Sequence, residues 1–150
     1  MARSYGATGS DTNSTTTTPW MLCQPTTALT RLVVYDLLIG SSAAPNDYSV
    51  KYEFKRSSTD GTGGTTPTPA PHDPINPAAA GVFRYNGTEP TYGTVIPLTI
   101  SKNMRSTVRW LPLDMLHAII IPQTNSNGLG GYATNATTGY AEEGCWSWEE

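Results

Sequence analysis

The sequence predicts an all-β protein, a single-domain antiparallel β-sandwich with a jelly-roll-like order open to it. Three observations predict this. Residues 48–55 place Tyr48, Val50, Tyr52 and Phe54 on one side of an alternation and Ser49, Lys51, Glu53 and Lys55 on the other, the period of a strand with one buried face. The composition is neutral-polar, with 23 Thr, 14 Gly and 12 Pro; β-branched Thr suits strands, and Gly and Pro punctuate turns. Apolar clusters are short, far below the ~20 residues that span a bilayer as a helix. At 150 residues the chain is one domain's worth, able to bury about two thirds of its unfolded surface.

Residues 1–18 are Gly, Ser, Thr and Asn with little apolar content. They read, with Pro19 and Trp20, as an N-terminal arm over 1–20, mobile or ordered only against a partner, ahead of a sandwich domain over 21–150. Trp20 opens the first apolar cluster. It either pins the start of the core or anchors in a neighbouring subunit, where large aromatics dominate the energetics. Residues 31–39, RLVVYDLLI, are nearly continuous in apolar residues and read as a buried strand. With the turn-rich stretch 40–47 they predict a hairpin onto the 48–56 strand.

Residues 57–77 hold Gly61, Gly63, Gly64, Pro67, Pro69, Pro71, Pro74 and Pro77. They predict a long, stiff loop, polyproline-like across Pro67–Pro71. Residues 81–85 are a short strand candidate. Residues 96–101 and 106–110 alternate on either side of Lys102–Asn103 and predict a second, central hairpin. Residues 111–115 form a kinked passage held by Pro112, and residues 116–122 a strand ending at Pro122. Residues 124–131 read as a loop. Trp146 and Trp148 share one face of a closing strand, completing the core sheet or capping it at a subunit boundary.

The chemistry-bearing residues do not assemble into a catalytic motif. Net charge is −3, which offers no basic stripe for nucleic acid. The two histidines, His72 in the Pro-rich loop and His117 at a strand start, sit outside any nucleophile-elbow sequence. Cys23 and Cys145 lie near opposite ends; a bridge between them would close a large loop, and two separate reduced thiols are the simpler reading. Neither Gly61–Gly64 nor Gly128–Gly131 is followed by the Lys-Ser/Thr of a phosphate loop. The sequence therefore predicts no enzyme, no cofactor, no metal site and no membrane span. Asn13, Asn86 and Asn135 sit in N-x-S/T triplets, expected by chance in such a composition.

The order of several pieces resembles small virion proteins of tailed bacteriophages. They are residues 1–9 (MARSYGATG), the strand RLVVYDLLIG at 31–40 with its SSAAPND turn at 41–47, Arg56, Gly61-Thr62, the Asp73-Pro74-x-x-Pro77-Ala78-Ala79 passage, Thr88-Glu89-Pro90-Thr91, the 98–110 segment with Arg105, Arg109 and Trp110, and the closing Glu149-Glu150. The chain departs from that pattern at Leu111-Pro112-Leu113-Asp114, where the group carries a Pro-Gly-Gly-Glu turn. The resemblance implies a capsid decoration (cement) protein, made in the bacterial host cytoplasm. It would lie on the virion surface between major capsid protein subunits and associate with itself, as a trimer. The expected partner contacts are Trp20, Pro67, Pro69, Pro71, Trp146 and Trp148. A neck, tail or fibre-associated subunit and a carbohydrate-binding β-sandwich remain as alternatives.

Overall fold

The alternation at 48–55 becomes a strand whose Val50, Tyr52 and Phe54 have no exposed surface, while Tyr48 lies outside it and is exposed. The computed structural model describes residues 2–12, 17–25, 30–135 and 140–150. Its strands are β1 (Ser4–Thr12), β2 (Thr17–Cys23), β3 (Leu32–Ala43), β4 (Ser49–Ser57), β5 (Ala70–Pro71), β6 (Val82–Thr88), β7 (Leu98–Asn103), β8 (Val108–Trp110), β9 (Ile119–Ile121), β10 (Gly128–Ala133) and β11 (Ala141–Glu149), with a 3₁₀ turn at Met115–His117. One sheet has the order β5-β1-β11-β3-β8, with β9 also on β3, and the other has β6-β2-β10-β4-β7. Every ladder is antiparallel.

The strand order is that of a jelly roll. With the short β5 and β9 and the added edge β6 set aside, the remaining strands pair first with last. β1 lies on β11, β2 on β10, β3 on β8 and β4 on β7. That is one long antiparallel ribbon rolled into two facing sheets, the double Greek key. The sandwich and the jelly-roll order expected from the sequence are both present.

The jelly roll overturns both predicted hairpins. Among the described residues no two consecutive strands pair. β3 and β4 lie in opposite sheets, and so do β7 and β8. Residues 104–107 therefore cross from one sheet to the other instead of turning a hairpin, and the 88–110 stretch lies at the two sheet edges, not at the centre. Period two reports which face is buried, and it carries no information on which strand lies alongside.

The N-terminal arm is also corrected. β1 is a nine-residue strand between β5 and β11, paired with β11 from Ser4 through Thr12. Tyr5 and Ala7 point into the core. Small residues on its other face, Gly6 and Thr8, let a polar, low-hydrophobicity segment make a full ladder, because backbone hydrogen bonds need no apolar side chain. The Thr run at 15–18 lies partly outside the described residues; Thr17 and Thr18 begin β2.

The loop expected at 124–131 contains Gly128–Gly131, the first four residues of β10, which lies between β2 and β4. Its glycines are there for close packing: a Cβ on Gly130 would sit 2.5 Å from the hydroxyl oxygen of Tyr92.

The core is aromatic and bridges the sheets. Trp146 of β11 meets Phe54 of β4 at 5.7 Å and Phe83 of β6 at 5.8 Å between ring centroids. Trp20 of β2 packs on Tyr52 at 5.6 Å, and Tyr5 of β1 stacks on Trp148 at 6.2 Å. Such pairs add about 0.5–1.5 kcal/mol beyond the area they bury.

Because β1 lies inside a sheet, removing residues 1–12 strips one whole face of β11 of its hydrogen bonds. The truncated chain is expected to lose its cooperative thermal transition by circular dichroism; an unchanged melting temperature would return these residues to the status of an arm.

Candidate functional site

The residues expected to touch partners divide into two groups. Trp20, Trp146 and Trp148 have no exposed surface, so they are core and not contacts. The reason is local. The Trp20 indole lies flat on Gly144, where a Cβ would come within 2.4 Å of the ring, and its Nε1 donates to the Gly9 carbonyl at 2.7 Å. Trp148 Nε1 donates to the Glu150 carboxylate at 3.0 Å. An aromatic sugar platform at 146 and 148 is excluded with them.

Pro67, Pro69 and Pro71 are half-buried. The Pro-rich loop is a strap across one open side of the sandwich, where the outer strands β1 and β6 face each other. Thr65 bridges to Tyr85 of β6, and β5 pairs with Tyr5 and Gly6 of β1. The Tyr5 hydroxyl donates to the Pro77 carbonyl at 3.1 Å. The Glu150 carboxylate accepts from the backbone N–H groups of Ala80 and Gly81, both at 2.8 Å. Polyproline-like backbone with free N–H and C=O groups can be tied down only by such isolated bonds, and here they come from both sheets.

His72 rides on that strap. Its Nδ1 lies 2.8 Å from Ser4 Oγ and 3.4 Å from the Tyr35 hydroxyl, and Ser4 Oγ also contacts Tyr35. A shallow depression of about 430 Å³ beside it is lined by Arg3, Ser4, His72, Asp73 and Asn76. The two hydroxyls converge on the same imidazole nitrogen. A nucleophilic pair needs a third group that orients the base from its other nitrogen; here the contacts hold the strap on β1. His117, the other histidine, sits in the 3₁₀ turn with Nδ1 2.7 Å from Asp114 Oδ1, and this hydrogen bond lowers the Asp114 pKa. Cys23 and Cys145 are free, the former buried.

The opposite side of the sandwich, along β7 and β8–β9, is where the structure places a surface that sequence reasoning missed. β8 pairs with Leu37–Ile39 and β9 with Leu32–Val34 of the same strand. They are two halves of one edge strand, interrupted by residues 111–118, which bulge outward. Leu113 and Leu116 are each 90% exposed, Leu111 is 54% and Met115 47%. Val95 and Ile96, in the segment before β7, are also exposed; the Arg56 N–H donates to the Val95 carbonyl at 3.3 Å and its guanidinium to the Ile120 carbonyl of β9. The turn itself is well made. Asp114 caps it, its Oδ1 accepting from the N–H of Leu116 at 2.9 Å and of His117 at 3.2 Å. A capped turn that holds leucines outward is a built surface, not a frayed loop. The signal in the sequence was Leu111, Leu113, Met115 and Leu116 spaced by Pro112 and Asp114, apolar residues on a stretch that proline keeps from continuing a strand.

Inside the sandwich, near the ends of β1 and β11, lies a polar cluster. Lys102 of β7 points inward and reaches β11, its Nζ 2.8 Å from Glu142 Oε1 with both side chains 2% exposed. The ammonium also donates to the Tyr140 hydroxyl at 2.7 Å and the Ser106 carbonyl at 3.1 Å. Burial lowers the Lys102 pKa to about 8 and, with Asp11 facing it, raises that of Glu142 to about 8; the oxygens gathered around Nζ oppose that push by favouring the charged pair. Asp11, directly across from Glu142 on β1, is buried and its carboxylate oxygens have no hydrogen-bond partner of normal geometry among the described residues. Burial raises its pKa to about 6. Lys102 joins the edge of one sheet to the middle of the other. Among the described residues no group of His, Cys, Asp and Glu could hold a metal ion, and no helix is long and apolar enough to cross a membrane.

No family model, no curated protein and no solved structure matches this chain.

Two outcomes follow from the cluster. Lys102→Met leaves Glu142 buried and unpaired, and chemical denaturation at pH 7 is expected to show a loss of about 3–5 kcal/mol; a loss below ~1 kcal/mol would mean the pair is solvated. Asp11 titrates higher in the fold than in the open chain. Its contribution is thus complete below about pH 4 and is lost as pH rises to about 6. Asp11→Asn is expected to be more stable than the parent at pH 7, by roughly 2 kcal/mol, with the difference vanishing below pH 4. Parallel stability curves over that range would show that Asp11 is ionised throughout.

Proposed function

We propose that this chain is a virion structural protein, a decoration or cement protein that binds the outer capsid shell between major capsid protein subunits and stabilises it. Proteins of this kind act as symmetric oligomers, here a trimer. The observation that carries the reading is an exposed apolar edge at 111–116 on a jelly-roll frame, of a size for the contact by which proteins of this kind associate with themselves. Jelly rolls serve in viral capsids and also in lectins, so fold alone does not choose between them. The carbohydrate-binding reading drew on exposed aromatics, and of these Trp146, Trp148, Tyr52 and Tyr140 are core, which leaves it less support. The ordered phage-like segments of the sequence point the same way as the edge.

Cementing works by mass action. A protein that binds only the assembled shell stabilises it in proportion to the logarithm of its concentration over its Kd. The experiment is co-sedimentation of the purified protein with matching capsid shells that lack it. Saturable binding at a fixed number of copies per major capsid subunit, together with a raised shell disruption temperature, is the expected result. Binding of only about a dozen copies per particle would instead support a neck or tail position, and no binding at micromolar protein would remove the proposal.

A further inference from the structure

The apolar edge has a definite area and a definite setting. Leu111, Leu113, Met115 and Leu116 together expose roughly 600 Å², at the top of the range a monomer leaves open and close to the ~800 Å² per partner of a standard interface. Strand addition is not what this edge offers. β8 and β9 are three residues each with the bulge between them, so the row of free backbone groups is broken and side chains must make the contact. The border carries both signs of charge. Arg109 holds Asp36 in a two-pronged ion pair at 2.9 and 2.7 Å. A border that is already neutralised does not repel an identical border, whereas a surface built for a charged partner would show one sign.

We infer that the occupant of this edge is a second copy of the same chain, packed through the 111–116 bulge. The inference rests on the cement reading for one step. A cement protein joins a shell that is already assembled, so it must first exist free. Roughly 600 Å² of open apolar surface on a free protein is an aggregation hazard, and self-association covers it without using the shell. The shell would then be met by other surfaces, and the strapped side of the sandwich, with its polar Thr62–Thr68 stretch, is left available for it. The contact is heterologous if three copies close a ring and isologous if two close a dimer; the bulge is central to either.

The test is light scattering with size-exclusion chromatography on the full purified chain, without capsids. The parent is expected to run as a discrete oligomer. Leu113→Asp/Leu116→Asp, two positions with almost no contact to the fold, is expected to run as a monomer with unchanged near-ultraviolet circular dichroism and melting temperature. Loss of even one central anchor weakens association by at least about thirty-fold. A second arm avoids dependence on the charged variant: Leu116→Cys should form a disulfide-linked species between copies under mild oxidation, and Tyr48→Cys, outside the bulge, should not. A monomeric parent, or a double variant that stays oligomeric, overturns the inference. Shell co-sedimentation run on the same samples separates it from the reading it rests on. A monomeric parent that binds shells and loses binding on the double substitution leaves the cement reading standing and makes the capsid protein the occupant. An oligomeric parent dispersed by the double substitution, with no shell binding, sustains the inference and removes the cement reading.

Discussion

The seat of Trp20 on β11 is the contact on which the rest of the sandwich depends. Its indole crosses from one sheet to the other, lies on the bare backbone of Gly144 and donates to the carbonyl of Gly9. One side chain of β2 touches both β1, its neighbour in sequence, and β11, from the other end of the chain. Any side chain at 144 would push the indole out and disturb the Tyr52 ring packed against it. Closing the chain on itself in this way is what makes the order a jelly roll and not two separate meanders.

From that closure follows the difference between the two open sides. One side is covered by the Pro-rich strap, held by backbone bonds from Ser4 and Tyr85 and by the carboxylate of Glu150. The other side is tied internally by Lys102, which brings β7 toward β11 through a buried ion pair, and externally it is left apolar. Burying a lysine to link sheets costs desolvation that a hydrophobic pair would not. What it supplies is register, because the ammonium has oxygens to satisfy at only one position along β11.

The segment at which the chain departs from the phage-like pattern, Leu111-Pro112-Leu113-Asp114, is the segment that bulges. Pro112 keeps the backbone from continuing β8, Asp114 caps the turn that follows, and the leucines between have no interior to enter. A glycine-rich turn at this place would close the gap between β8 and β9 without presenting side chains. The departure is therefore a change of surface and leaves the frame intact.

The sequence by itself determined the inward faces of several strands. Alternation at 50–54, the apolar stretch at 31–39 and the spaced tryptophans at 146 and 148 each reported an inward face, and Val50, Tyr52, Phe54, Leu32, Val34, Leu37, Ile39, Trp146 and Trp148 are inward, while Tyr48 and Leu38 are not. It determined the all-β class because Thr, Gly and Pro leave no stretch long enough for a helix. Partnership was decided only in three dimensions. Adjacent strands of a jelly roll go to opposite sheets, so the hairpins that proximity suggested at 31–56 and 96–110 do not exist, and residues 4–12, too polar to announce a core strand, become one by backbone pairing with β11. The contact surface was likewise invisible. Trp20 and Trp148 look like anchors in a list of residues, and the fold encloses them. Leu113 and Leu116 look like core, and the break between β8 and β9 turns them to the outside. Hydrophobicity is a property of the residue, but exposure is a property of what the rest of the chain packs against it.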